Sequence, residues 1–234
     1  VSYPKKKNEK KINFISLEGD YHLLEKDYLE YAGLLDKSTY PKLTLQIIRD
    51  RIIKHPYVQN VEVAYSESKV VITIKEKTFE SILMKGEDQF ILTDRLHVLP
   101  LLTGTQKVDI PIIAEPSMNS KIKEFTSLKK NHDVLTAAQI LTAVKLVNSK
   151  LHDNISSLNM KDGGEIELYL SSADYPVLIG RGNEIKKIIS FNSFWDVIAG
   201  KEYSNYLEYV DLRYSNHLYF RLFEPKTTAE EMKS

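Results

Sequence analysis

The side chains able to do chemistry are scattered, and their spacing argues against a catalytic centre. The six histidines are His22, His55, His97, His132, His152 and His217, and none is paired at i,i+3 or i,i+4. No His-Glu-x-x-His pattern occurs, so a helical zinc site has no local support; only a site assembled from distant histidines stays open. Cysteine is absent, which excludes thiolate metal sites, disulfides and cysteine nucleophiles. Gly180-Arg181-Gly182 follows a short strand and precedes a helix, the position of a phosphate-cradling turn. The third glycine of that fingerprint falls on Ile185, so the pattern reads as a tight turn with Asn183 capping the next helix. Glu165 and Glu167 alternate with Ile166 and Leu168 and read as the wet face of a half-buried strand rather than an acid pair. A Gly-x-Ser-x-Gly elbow and a Walker loop are both missing. These features point to a chain with no enzyme activity, no cofactor and no metal.

Charge argues against a second class, although a local basic patch is compatible with overall neutrality. Lys plus Arg and Asp plus Glu are 32 each, so no overall field favours nucleic acid. Hydrophobic residues at 42% predict a packed core rather than global disorder. No run approaches the ~18 consecutive apolar residues of a membrane span. The chain opens Val1-Ser2-Tyr3-Pro4, as an excised fragment does.

The elements that position any site fall into two groups. Residues 1–11, with Lys5, Lys6, Lys7, Lys10 and Lys11, read as a solvated linker. Ile12, Phe14, Ile15 and Leu17 predict a strand closed by Glu18-Gly19-Asp20. Helices are expected over 22–34 and from Pro41, in the first turn, to His55-Pro56, where the proline stops the helix. Val61, Val63 and Tyr65, then Val70, Ile72 and Ile74, alternate as a hairpin about Ser66-Glu67-Ser68. Strand, helix, helix, strand, strand in residues 12–77 is a compact α+β unit with both helices on one face.

Residues 78–225 are strand-rich. Strands are expected at Ser81–Met84, Gln89–Thr93, Ile110–Ile113, Glu165–Ser171, Val177–Ile179, Tyr209–Arg213 and Leu218–Phe223, with a turn at Lys161-Asp162-Gly163-Gly164. Helices are expected at Val134–Leu151 and Asn183–Trp195. Residues 226–234 read as a flexible tail. Tyr209, Asp211 and Arg213 should share one face of their strand. The last strand is apolar on both faces: Leu218, Phe220 and Leu222 on one, Tyr219 and Phe223 on the other, with Arg221 interrupting. Such a strand needs cover, either from helices of its own domain or from a strand added by a partner.

Several stretches carry a resemblance. His55-Pro56-Tyr57-Val58 through Val61-Glu62-Val63, then Val70-Val71-Ile72-Thr73-Ile74-Lys75-Glu76, resemble the end of a POTRA domain, whose opening strand and glycine turn are matched by Ile15-Ser16-Leu17-Glu18-Gly19. Further on, Phe90-Ile91-Leu92-Thr93-Asp94 with Leu99-Pro100-Leu101-Leu102-Thr103-Gly104, Val177-Leu178-Ile179-Gly180, and Tyr209-Val210-Asp211-Leu212-Arg213-Tyr214 are similar, in order, to motifs of the FtsQ/DivIB cell-division family. After the Arg-Tyr pair this chain has Ser215-Asn216-His217 where that family usually has Asn-Gly or Ser-Gly.

The resemblance implies a POTRA domain at 12–77 and a β domain at 78–225. It implies a single-pass protein of the inner (cytoplasmic) membrane, with this part on the periplasmic or extracellular side and the transmembrane helix outside this fragment. It implies a divisome scaffold whose partners are FtsB/DivIC-like and FtsL-like proteins, the former added as a strand at the C-terminal edge. Arg213, Tyr214, Asn216, Leu218, Tyr219, Phe220 and Leu222 are the residues expected to carry that contact. The alternative is a POTRA-containing outer-membrane assembly or secretion factor.

Overall fold

The computed structural model describes residues 12–19, 22–67, 69–106, 108–214 (of Tyr203, the backbone) and 217–223. The expected linker and tail, and Asn216, lie outside the described residues. The fold is α+β, and the chain divides into two compact units.

The first unit has the β-α-α-β-β order of a POTRA domain: β1 (Phe14–Glu18), α1 (Glu25–Tyr31), α2 (Leu45–Ile52), β2 (Val58–Ser66) and β3 (Lys69–Glu76). β3 lies central, parallel to β1 and antiparallel to β2. Alternation sets the buried face: Ile15 and Leu17 on β1, and Val70, Ile72 and Ile74 on β3, point inward. Onto them pack Tyr28 and Leu29 of α1 and Ile48 and Ile52 of α2, all buried.

Two helix starts depart from expectation. Pro41 does not open α2; it sits inside a 3-10 segment, Lys37–Lys42, launched by Asp36, whose carboxylate accepts from the Ser38 amide at 2.9 Å. The helix begins after Thr44, whose hydroxyl accepts from the Ile47 amide at 3.2 Å, a side-chain cap stronger than the proline signal. Likewise α1 starts only at Glu25, because the Asp27 carboxylate takes the Leu24 amide at 3.1 Å and fixes the first turn there.

Leu99–Asp109 packs with this first unit although it follows the next two strands in sequence. The buried Tyr57 holds this strap: its hydroxyl accepts from the Leu102 amide at 2.9 Å and lies 3.1 Å from the Pro100 carbonyl and 2.8 Å from the Thr105 hydroxyl. His22 adds a second fastening through its carbonyl, which accepts from the Gln106 amide at 2.7 Å. Beside Tyr57 the buried His55 ring contacts Tyr28 and Tyr31, with centroids 4.5 and 4.7 Å away, and its Nδ1 accepts from the Tyr57 amide. Burial, reinforced by the nearby Lys77 charge, pushes the His55 imidazole down to about 4.

The second unit is built on a nine-stranded sheet with helices on one face; one edge strand of the sheet begins at Val98 of this unit and ends in the strap, at Leu99 and Pro100. Its elements are β4 (Phe79–Lys85), β5 (Asp88–Thr93), β6 (Val98–Pro100), β7 (Ile112–Ala114), α3 (His132–Val147), α4 (Ser149–Asp153), β8 (Ile155–Asn159), β9 (Glu167–Leu170), β10 (Val177–Leu178), α5 (Glu184–Ile198), β11 (Leu207–Asp211) and β12 (Tyr219–Leu222). The order is β12-β11-β10-β9-β8-β7-β4-β5-β6. β7 and β8 are parallel and joined through α3 and α4; β10 and β11 are parallel and joined through α5. β8 and β10 both run antiparallel to β9, so all four strands share one direction, and both crossovers step toward β12. Crossovers of one hand stepping one way put their helices on one face. There α3 packs on α5, and Val134, Ile140, Leu141, Ile188, Phe191 and Trp195 join the core.

The helix expected over 134–151 is broken. Asn148 caps both pieces, with an extended backbone (φ −155°) and a side chain that accepts from the Leu151 amide at 3.1 Å. β8 was hidden in the sequence because its two apolar residues, Ile155 and Leu158, are three apart; a register shift between Ile155 and Ser157 brings both to the buried side.

Two measurements test the first unit. Tyr57→Phe removes the hydroxyl and leaves the Leu102 amide without its acceptor, a loss of about 1–3 kcal/mol in urea unfolding, with faster proteolysis within 99–109. His55 binds its proton more weakly folded than unfolded, so its contribution is present above pH 6.5 and is lost as pH falls toward 4. Unfolding free energy should decline across that window by no more than about 1.4 kcal/mol per pH unit, and His55→Asn should flatten the decline.

Candidate partner-binding edge

β11 occupies the second place in the sheet. The Val210 amide donates to the Pro176 carbonyl and the Leu212 amide to the Leu178 carbonyl, at 3.0 and 2.9 Å, so these residues turn their backbone toward β10. By alternation Tyr209 and Asp211 turn theirs toward β12, opposite Arg221 and Tyr219. The next contact agrees: the Phe223 amide donates to the Tyr206 carbonyl at 2.8 Å. The N–H and C=O of Phe220 and Leu222 therefore face away from the sheet. Among the described residues, β12 has one neighbouring strand, β11.

All four residues of β12 are exposed. Tyr219, Phe220 and Leu222 each leave about half their surface in solvent, at 51, 52 and 49%, and Tyr214 and Phe223 leave slightly more. Two faces result. Phe220 stacks on Phe194 of α5 with centroids 5.8 Å apart, while Tyr219 meets Tyr214 edge-on at 5.2 Å and lies over His217. Leu218 is partly buried against the core. Arg221 pairs with Glu208 at 3.0 Å. Between α5 and the segment leading to β12 opens a cavity of about 370 Å³, with Lys187 and Tyr214 on its wall.

Arg213 departs from the expected strand face because β11 ends at Asp211. The buried Asp211 carboxylate accepts from the Arg213 amide at 2.9 Å, from Nε at 3.0 Å and from Nη2 at 2.6 Å. These bonds turn the chain out of the ladder. The Arg213 hydrogen bonds hold the Asp211 carboxyl below its ordinary range, and the same bonds raise the guanidinium above its own. Asp211 and Phe194 are thus part of the edge although sequence reasoning gave them no role. The Asp-x-Arg spacing at a strand end was the available signal for the first; nothing local marks the second.

Arg213, Tyr214, Leu218, Tyr219, Phe220 and Leu222 converge at this edge, whereas the other singled-out residues serve the scaffold. Arg181 binds the buried Asp133 at 2.8 Å and the carbonyls of Gly164 and Met160 at 2.7 and 3.2 Å. Asn183 stands before α5 in a left-handed conformation and makes no side-chain cap, correcting its expected role; Glu184 takes the Gly182 amide instead. Glu167 is committed to Lys161 and Tyr169. Among the described residues no group of three or more His, Asp or Glu side chains is placed to hold a metal ion, and no helix is long and apolar enough to cross a membrane.

Comparison with known proteins agrees with this architecture. The model of the C-terminal region of the cell division proteins FtsQ/DivIB matches residues 82–213. The cell division protein FtsQ of Geotalea daltonii is 22% identical over 200 residues, which cover 84% of this chain and 70% of that protein. With more than half of its length matched by the family model, this chain belongs to the FtsQ/DivIB family of cell-division proteins.

Proposed function

We propose that this chain is a non-enzymatic divisome scaffold that recruits an FtsB/DivIC-like partner, and with it an FtsL-like one, by strand addition to β12. The full-length protein is held in the cytoplasmic membrane by a single span, with this part on the outer side. The observation that carries the reading is the outward N–H and C=O of Phe220 and Leu222 on a strand that, among the described residues, has one neighbour. Family membership favours this role over an outer-membrane assembly factor.

Magnitudes show why backbone alone is insufficient. Four added backbone bonds contribute about 0.5–1.5 kcal/mol each. Association costs an estimated ~4–15 kcal/mol in lost freedom. Side chains must supply the balance, and the half-exposed Tyr214, Tyr219, Phe220, Leu222 and Phe223 offer the apolar area. A partner strand laid along β12 covers both faces at once, which answers the two-sided apolarity of this segment.

A proline tests strand addition separately from side-chain docking. Leu222→Pro removes an outward N–H and keeps the ladder to β11, as an edge strand tolerates. Calorimetric titration with the extracellular domain of the FtsB/DivIC-like partner should show roughly tenfold or greater loss for Leu222→Pro beyond that of Leu222→Ala. Tyr219→Glu with Phe220→Glu should abolish binding while thermal unfolding stays near that of the parent. Equal affinity of the proline and alanine variants rules out strand addition; unchanged affinity of the double glutamate variant rules out the edge itself.

A further inference from the structure

We infer that Gly180 is a positioning residue that seats the Arg213 side chain against Asp211 and thereby sets the course of the chain into the edge strand. Gly180 has φ +66°, and a Cβ built there would lie 2.6 Å from Glu165 Oε2 and 2.8 Å from Arg213 Cγ. The Glu165 carboxylate is the far end of a flexible side chain and can move aside. Arg213 Cγ cannot, because both ends of its side chain are fastened. Its backbone is held by the Arg213 amide bond to Asp211 and by the adjacent Leu212 amide bond to Leu178. Its guanidinium is held by the two-point fork on Asp211.

The turn bearing Gly180 is equally fixed. Both Ile179 and Gly180 donate their amides to the Ile166 carbonyl, at 2.9 and 3.1 Å, and Lys187 Nζ caps the carbonyls of Ile179 and Arg181 at 2.9 and 3.1 Å. A methyl group there finds room only by driving the Arg213 stem out of its fastened position, which opens the fork. Tyr214 follows directly, and Tyr214 packs on Tyr219. The glycine after β10 therefore governs an arginine after β11 and, through it, the presentation of β12.

Gly182 supplies a matched control. Its φ is +79°, so Ala there carries a similar backbone cost, but no atom of the described residues lies within 4 Å of its built Cβ. The experiment uses the whole chain with two readouts. The first is proton exchange at Arg213 Nε–H and at the Tyr219 and Arg221 amides, followed by NMR. The second, which rests on the function proposed above, is calorimetric affinity for the extracellular domain of the FtsB/DivIC-like partner. Gly180→Ala should expose these protons to faster exchange and weaken binding about tenfold or more, with Gly182→Ala near the parent in both.

A thermal-unfolding cycle covers the case in which Gly180→Ala folds poorly. In an Arg213→Ala background the crowding at Cγ is gone, so Gly180→Ala and Gly182→Ala should have equal effects. Unaltered Arg213 Nε–H protection in Gly180→Ala overturns the inference, as does a Gly180→Ala defect that persists undiminished without Arg213. Released Arg213 with unchanged affinity confirms the positioning role and overturns the docking site instead.

Discussion

The buried carboxylate of Asp211 is the constraint around which the C-terminal half of the molecule is arranged. A charged group excluded from water is costly unless it is paired and hydrogen-bonded. Asp211 meets that requirement with three bonds from one residue, Arg213. A chain that turns away after Leu212, whose amide still bonds the Leu178 carbonyl, delivers both the amide and the guanidinium of the residue two places on. Satisfying the charge therefore ends β11 and turns the chain, and the return path antiparallel to β11 becomes β12. The Asp211–Arg213 pair is thus local in sequence yet decides the border of a nine-stranded sheet.

The form of that border follows from how the rest of the sheet is built. Both helical crossovers step toward β12 and lay α3 and α5 on a single face, so α5 reaches β12 through Phe194 and covers one side of it without covering its edge. An unpaired edge is an aggregation hazard that proteins blunt with short strands and charges. β12 has both features: four residues, with Arg221 in the middle paired to Glu208. Such an edge discourages indiscriminate pairing.

Periodicity made much of this legible in advance. The alternating runs at Val61–Tyr65 and Val70–Ile74 identify the fold class, because alternation and helical spacing report burial directly; the family came only from the resemblance of the ordered downstream motifs. What escaped depends on geometry that periodicity does not encode. β8 looks non-alternating until a register shift corrects its phase. Asn148 breaks a helix whose apolar spacing runs on, because one amide side chain caps two segments. Pro41 was a plausible start that lost to Thr44, whose hydroxyl actually takes an amide. At the edge the exposed aromatics were visible as a composition anomaly. The fork that fixes Arg213 was not, since a strand reading places it on a face rather than in a turn.

The family match runs through residues 82–213 and stops at Arg213, ahead of β12. The matched part holds the features that make an edge: the glycine turn after β10, the α5 crossover, β11 and the Asp211–Arg213 pair. Beyond it lie the side chains that face outward on that edge. Under the strand addition proposed above, backbone bonds would accept any sequence while alternate side chains would choose among partners. In this chain, tyrosine, phenylalanine and leucine occupy those positions.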